Sequence, residues 1–77
     1  MKIELHYYGR LTEITEKNSE IIECDALIVL DLKNILGQRY PKLKGITFNL
    51  AAKNTFLKEE ETIPEGIIDV FPPFSGG

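Results

Sequence analysis

One stretch limits what this chain can fold into more than any other. Between residues 29 and 40 the apolar side chains Val29, Leu32, Ile35, Leu36 and Tyr40 recur at helical spacing and form one stripe. Asp31, Lys33, Asn34 and Gln38 fall on the opposite side. Pro41 ends the helix near Tyr40, because the residue before a proline avoids the α region. The start is less sharply set. Residues 25–30 can extend a strand or open the helix, and Ile28 at the N-cap position has no side-chain acceptor to offer. A single helix of about three turns covers one face of a small sheet and little more, which leaves the other face to solvent or to a partner.

The rest of the chain reads as strands. In residues 2–8, Ile3, Leu5 and Tyr7 alternate with Lys2, Glu4, His6 and Tyr8, the period of a half-buried strand. Gly9 and Arg10 open a short segment in which residues 11–14 pack across the end of the sheet, and residues 16–19 turn. Residues 20–24 form the return strand, with Ile22 and Cys24 inward. Beyond the helix and a loop at Gly45, residues 46–52 read as a third strand. Lys53, Asn54 and Thr55 read as a turn, and Phe56 and Leu57 as a short fourth strand. Residues 63–66 turn, with Ile63 tucked inward, and Ile67–Phe71 forms the last strand. The order is ββαββ, an α+β chain with a mixed four- to five-stranded sheet and one main helix. It points to a β-grasp, the ubiquitin-like roll, with its first and last strands parallel at the centre. The expected division is a β-grasp domain over residues 1–71 and an extended tail over residues 72–77.

Composition narrows the function. Seventy-seven residues make one small domain, and 43% hydrophobic with 27% charged is ordinary for a water-exposed globular protein. One cysteine, Cys24, rules out an internal disulfide and fits a reducing, cytoplasmic setting. One Cys and one His cannot supply a four-ligand zinc site, so no metal is expected. The net charge of −3 argues against nucleic acid. Lys2 and Glu4 break up the start of the chain, so no leader is expected, and the apolar run at residues 26–30 is too short to span a membrane.

The tail Phe71-Pro72-Pro73-Phe74-Ser75-Gly76-Gly77 is the feature that looks built for chemistry. Pro72 and Pro73 must end any strand that runs into them and favour a stiff, extended spacer. Gly76 and Gly77 lack a β-carbon, so the tip can enter a channel too narrow for side chains, carrying a carboxylate at its end. The plain alternative is an idle, frayed end. By alternation Tyr8 and Phe71 lie on neighbouring strands and point away from the helix. From the residues alone, that pair is either an interaction patch or a tyrosine that merely caps a loop.

These residues together resemble the MoaD-type sulfur carriers, the small subunits of molybdopterin synthases. The resemblance runs the whole length. It takes in Tyr7-Tyr8-Gly9-Arg10-Leu11 with Glu13 and Ile14, Arg39-Tyr40-Pro41 with Leu43, Leu50-Ala51-Ala52-Lys53-Asn54, and above all the Pro-Pro and Gly-Gly pairs of the tail. A diglycine also ends the thiamine-pathway carriers and ubiquitin-like modifiers, whereas the Pro-Pro pair before it is typical of the molybdopterin branch. Two departures bear on the fourth strand and its turn. Ile67 and Ile68 stand where an acidic residue commonly follows the turn glycine, and the connection from Asn54 to Pro72 is slightly short.

The resemblance implies that an E1-like adenylating enzyme joins the Gly77 carboxylate to AMP at the expense of ATP. A sulfur donor then displaces AMP and leaves a thiocarboxylate. It implies a large-subunit partner in a heterotetramer of two small and two large subunits, with the catalytic side chains on the large subunit and no cofactor bound here. Pro72, Pro73, Phe74, Ser75 and Gly76 would lie in the partner's channel, and Tyr8, Phe71 and Leu57 would form the docking patch. The rival readings are a carrier for thiamine or another sulfur-containing metabolite, a modifier joined through Gly77 to lysines, and a plain interaction module. Other candidates carry less. His6 has no partner in sequence, Cys24 reads as a small core residue, and Glu59, Glu60 and Glu61 read as a solvated turn that can also steer a basic partner. Arg10 either pairs with a nearby acid or meets a partner.

Overall fold

The computed structural model describes residues 1–73. Strand β1 (Lys2–Tyr7) buries Ile3, Leu5 and Tyr7, the set expected from its alternation. It pairs antiparallel with β2 (Ser19–Glu23) and parallel with β5 (Ile67–Phe71). Two further strands, β3 (Asn49–Ala52) and β4 (Thr55–Phe56), complete a five-stranded sheet in the order β2-β1-β5-β3-β4. The last strand thus lies at the centre, parallel to the first. This is the β-grasp arrangement.

The segment after Gly9 is a short helix, α1 (Leu11–Thr15), rather than an irregular crossing. Leu11 is fully buried and Thr15 Oγ1 donates to the Leu11 carbonyl. Glu16 then takes a left-handed conformation, φ 60°, and ends the turn. The fold therefore has one main helix and this one-turn addition.

The main helix, α2 (Val29–Arg39), follows the predicted stripe. Val29, Leu32 and Leu36 are fully buried against the sheet, each stabilising the fold by about 1.5–3 kcal/mol. Ile35 and Tyr40 pack at the margin of this core. The start is capped from outside the helix. Val29 and Leu30 donate their N–H groups to the carbonyls of Glu61 and Glu59, at 2.9 and 3.0 Å, so the backbone of the acidic run satisfies two orphan donors. The Asp31 carboxylate reaches back to the N–H of Ile28, which itself has no acceptor in its side chain. At the other end Pro41 opens a 3-10 turn (Pro41–Leu43) that buries Leu43.

Two boundaries differ from the sequence reading. The third strand begins at Asn49, not at residue 46, because the Ile46 N–H is held by the Leu43 carbonyl and cannot join the ladder. The fourth strand is Thr55–Phe56, not Phe56 and Leu57. Lys53 and Asn54 alone make the turn, with φ of 51° and 64°, the conformation of a two-residue type I′ hairpin. Cys24 lies just past β2 and is half-buried against the core, and Ile63 is buried as expected.

Candidate functional site

The sheet face turned away from α2 gathers three aromatic rings beside the point where β5 ends. Tyr8 follows β1 directly, and its N–H donates to the Val70 carbonyl, which extends the parallel pairing by one residue. Its ring lies nearly parallel to that of Phe71, 4.7 Å between centroids at 14°. Phe56 meets the other side of Phe71 edge-on at 6.0 Å. Beneath them Ala51 is 4% exposed although it lies outside the main core, because its register partners are Phe56 and Asp69. Ala51, Asn54, Phe56, Asp69 and Phe71 line a small hollow.

Tyr8 and Phe71 stand together on the outer face, where the sequence placed them. Leu57 does not join them. It is half-buried against the core on the helix side, and Phe56 takes the outer position. The reason is the hairpin. A two-residue turn pairs Ala52 with Thr55 and Ala51 with Phe56, and a register error of one residue sends every side chain to the other face. The signal was present in Lys53-Asn54, but reading Thr55 as part of the turn displaced it.

Polar groups fix the patch. The Tyr8 hydroxyl donates to Asp69 Oδ1 at 2.9 Å, and that bond pushes the hydroxyl's pKa up. His6, expected to stand alone, lies 2.7 Å from Glu4 Oε2 on the same face.

The strand's exit is as closely held as the patch. Gly9 has φ +57°, and a β-carbon there would stand 3.0 Å from Pro72 Cγ. Pro72 is half-buried and Pro73 exposed. Phe74, Ser75, Gly76 and Gly77 lie outside the described residues.

A second polar cluster, which the sequence did not reveal, braces the opposite side of β1. Glu20 accepts hydrogen bonds from the hydroxyls of Tyr7 and Tyr40, both to Oε2 at 2.5 Å. Arg39 and Lys17 approach its Oε1 at 3.3 and 3.4 Å. Burial opposes ionisation of Glu20, yet the two hydroxyls and two cations outweigh it and hold the carboxyl below its ordinary value. Burial, aided by the bond to Glu20, pushes the Tyr7 hydroxyl far up. The four partners come from β1, the loop before β2, and the end of α2, so only the folded register assembles them. Among the described residues no group of three or more His, Cys, Asp or Glu is placed to hold a metal ion, and no helix is long and apolar enough to cross a membrane.

Comparison with known proteins gives this arrangement a family. The model of the ThiS family matches residues 5–77. The chain belongs to the ThiS family. Its fold is that of the ubiquitin-like sulfur carriers. A protein from Pyrococcus furiosus described as molybdopterin converting factor, subunit 1, superposes with a TM-score of 0.85 at 23% identity, covering 96% of this chain and 99% of that one. SAMP1 from Haloferax volcanii superposes with a TM-score of 0.78 at 20% identity, covering 100% of both. A second structure from that organism, small archaeal modifier protein 1, gives 0.77 at 18% identity over 95% of this chain and 98% of that one. At these identities the likeness to solved structures concerns the fold. A protein described as a molybdopterin converting factor subunit and one described as a modifier protein both share it.

Proposed function

We propose that this ThiS-family protein is the sulfur-carrying small subunit of a molybdopterin synthase. The observation that carries the reading is the ending Phe71-Pro72-Pro73-Phe74-Ser75-Gly76-Gly77, which continues from the central strand beside the aromatic patch. The likeness to the Pyrococcus furiosus protein supports the molybdopterin branch.

A carboxylate is a poor electrophile and needs a leaving group before sulfur can replace one of its oxygens. In the first step an oxygen of the Gly77 carboxylate bonds to the α-phosphorus of ATP and pyrophosphate leaves, on an E1-like adenylating enzyme. A sulfur donor then attacks the carbonyl, AMP leaves, and Gly77 carries a thiocarboxylate. That group is a soft nucleophile of the thiolate kind. In the large subunit its sulfur bonds to a carbon of the pterin precursor as a C–O bond of that carbon breaks and the oxygen leaves. Water then adds at the Gly77 carbonyl, breaks the C–S bond there and restores the carboxylate. Gly76 and Gly77 let two different enzymes close around one tip. Tyr8, Phe71 and Phe56 dock the body, and Pro72 and Pro73 make a stiff spacer before the tip. The catalytic side chains sit on the large subunit, in a heterotetramer of two small and two large subunits.

Intact mass tests this directly. After incubation with ATP, an E1-like enzyme and a sulfur source, one oxygen should be replaced by sulfur. An unchanged mass, with the same enzyme active on another carrier, would refute the reading. Co-purification with a larger pterin-binding subunit then selects the molybdopterin acceptor over thiamine or another metabolite. The likeness to SAMP1 favours one second reading, a modifier. In that case Gly77 would be recovered from cell extract in isopeptide linkage to lysine side chains.

A further inference from the structure

Three consecutive residues at the end of β5 are held by the two-residue corner that ends β1. The Val70 carbonyl accepts the Tyr8 N–H at 3.1 Å, the Phe71 ring stacks on the Tyr8 ring, and the Pro72 ring rests against Gly9. The corner is itself rigid. Leu11 N–H donates to the Tyr8 carbonyl, and both the backbone N–H and the hydroxyl of Thr12 donate to the Gly9 carbonyl, which ties the corner to α1.

Gly9 has two separable reasons to be glycine. Its φ of +57° is left-handed, a conformation that asparagine also adopts at small cost. The second reason is space. A β-carbon would stand 3.0 Å from Pro72 Cγ and 3.6 Å from Cδ, and any non-glycine residue carries that carbon. The proline ring can give only by repuckering, not by swinging aside as a flexible side chain would, because it is closed onto its own backbone nitrogen. A β-carbon at residue 9 therefore presses on the Pro72 ring, and the ring, with the chain that carries it, must give by a few tenths of an ångström. Gly66 supplies the contrast: its φ is +102°, but nothing lies within 4 Å of its β-carbon position, so it serves the turn alone.

We propose that Gly9 is a positioning residue, which seats Pro72 and thereby sets the direction in which the chain after β5 is presented to the activating enzyme. This deepens, and rests on, the sulfur-carrier reading above. It predicts an effect on turnover rather than on docking, because the rings of Tyr8, Phe71 and Phe56 hold one another through contacts separate from the seat. It also predicts that the effect depends on the Pro72 ring.

The test is the steady-state kinetics of adenylation of the full chain by an E1-like enzyme, read as ATP–pyrophosphate exchange, with thermal unfolding of each variant. The variants are Gly9→Ala, Gly9→Asn, Pro72→Ala and the double variant Gly9→Ala with Pro72→Ala. Gly9→Ala and Gly9→Asn should each lower kcat by about tenfold with KM within about twofold, the size expected of a misplaced reacting group. Once Pro72 is Ala, adding Gly9→Ala should change kcat by less than about twofold, since the ring it displaces is gone. Should Gly9→Ala fold poorly, Gly9→Asn carries the same β-carbon without the backbone strain and decides the matter. The inference is overturned if a folded Gly9→Asn turns over at the wild-type rate. It is also overturned if the loss persists undiminished beside Pro72→Ala, or if KM moves and kcat does not. If the wild-type chain is not adenylated at all, the sulfur-carrier reading falls and this inference with it. If the wild type is adenylated and the variants match it, only the inference falls.

Discussion

The rings of Tyr8, just past β1, and Phe71, the last residue of the parallel strand β5, lie stacked at 4.7 Å although more than sixty positions separate them in sequence. The pair marks the outer face at the point where β5 ends, and Tyr8 is 40% exposed there. Aromatic side chains at the centre of an interface commonly dominate its binding energy. Tyr8→Ala should therefore raise KM for the adenylating enzyme by roughly tenfold while leaving kcat near wild type. Tyr8→Phe keeps the stack and loses only the hydroxyl's bond to Asp69, so its KM should fall between the two. An unaltered KM in a folded Tyr8→Ala protein would remove this face from the docking surface.

Glu20 makes a prediction about acid. Its folded-state pKa lies below the ordinary value of 4.5, so the ionised form is the one that folding favours. The stability it contributes is complete above the unfolded-state value and is lost as pH falls through the lower folded-state value. Glu20→Gln keeps the shape and removes the charge that Tyr7, Tyr40, Arg39 and Lys17 share. The substitution should cost about 2 kcal/mol near neutral pH, in the range for hydrogen bonds to a charged group. That gap should narrow steadily below about pH 4.5. Urea unfolding of both proteins at pH 7 and pH 3 measures it, and a gap of equal size at the two values would show that the charge contributes nothing.

Most of the fold was legible in the sequence because its signals are local and periodic. The alternation of Ile3, Leu5 and Tyr7 and the stripe of Val29, Leu32 and Leu36 each name a buried face without reference to the rest of the chain. What escaped depends on register or on distant partners. Phe56 replaced Leu57 because one residue of turn length decides which face a strand presents. The Glu20 cluster draws side chains from positions 7, 17, 39 and 40, and no spacing rule brings those together. The seat of Pro72 on Gly9 is of the same kind, since only the parallel pairing of β1 and β5 places a corner beside an exit.

Gly37 offers a stability prediction away from the candidate site. It lies within α2, where glycine costs about 1 kcal/mol relative to alanine through backbone entropy. A β-carbon there would meet only Lys44 Cγ, at 3.6 Å, which is ordinary contact with a flexible side chain. Gly37→Ala should therefore stabilise the protein and raise its melting temperature by about 4–8 °C, the shift that 1 kcal/mol produces in a domain of this size. Adenylation should be unaffected, because α2 lies on the opposite side of the sheet from Tyr8 and Phe71. A melting temperature that falls would mean that the helix is packed more tightly at Gly37 than the contact with Lys44 implies.

The last prediction separates chemistry from folding at Gly77. Under the proposed function its carboxylate is the reacting group, and it lies beyond the strand whose burial of Ile68 and Val70 anchors the centre of the sheet. The substitution Gly77→Ala replaces one hydrogen of the last residue by a methyl group. It does add a side chain to a tip that two enzymes must each enclose, where a misplacement of even about 1 Å can slow a reaction by about a hundredfold. Gly77→Ala should thus melt within about 3 °C of wild type, the range of a substitution outside the core, and form thiocarboxylate at a small fraction of the wild-type rate. Intact mass followed over time reads the rate, and differential scanning calorimetry reads the stability. Loading and dithiolene formation at the normal rate would show that the tip is not confined, and the narrow-channel account of the diglycine would have to be given up. A large loss of stability would instead tie residue 77 to the fold, which nothing in β5 or the core requires.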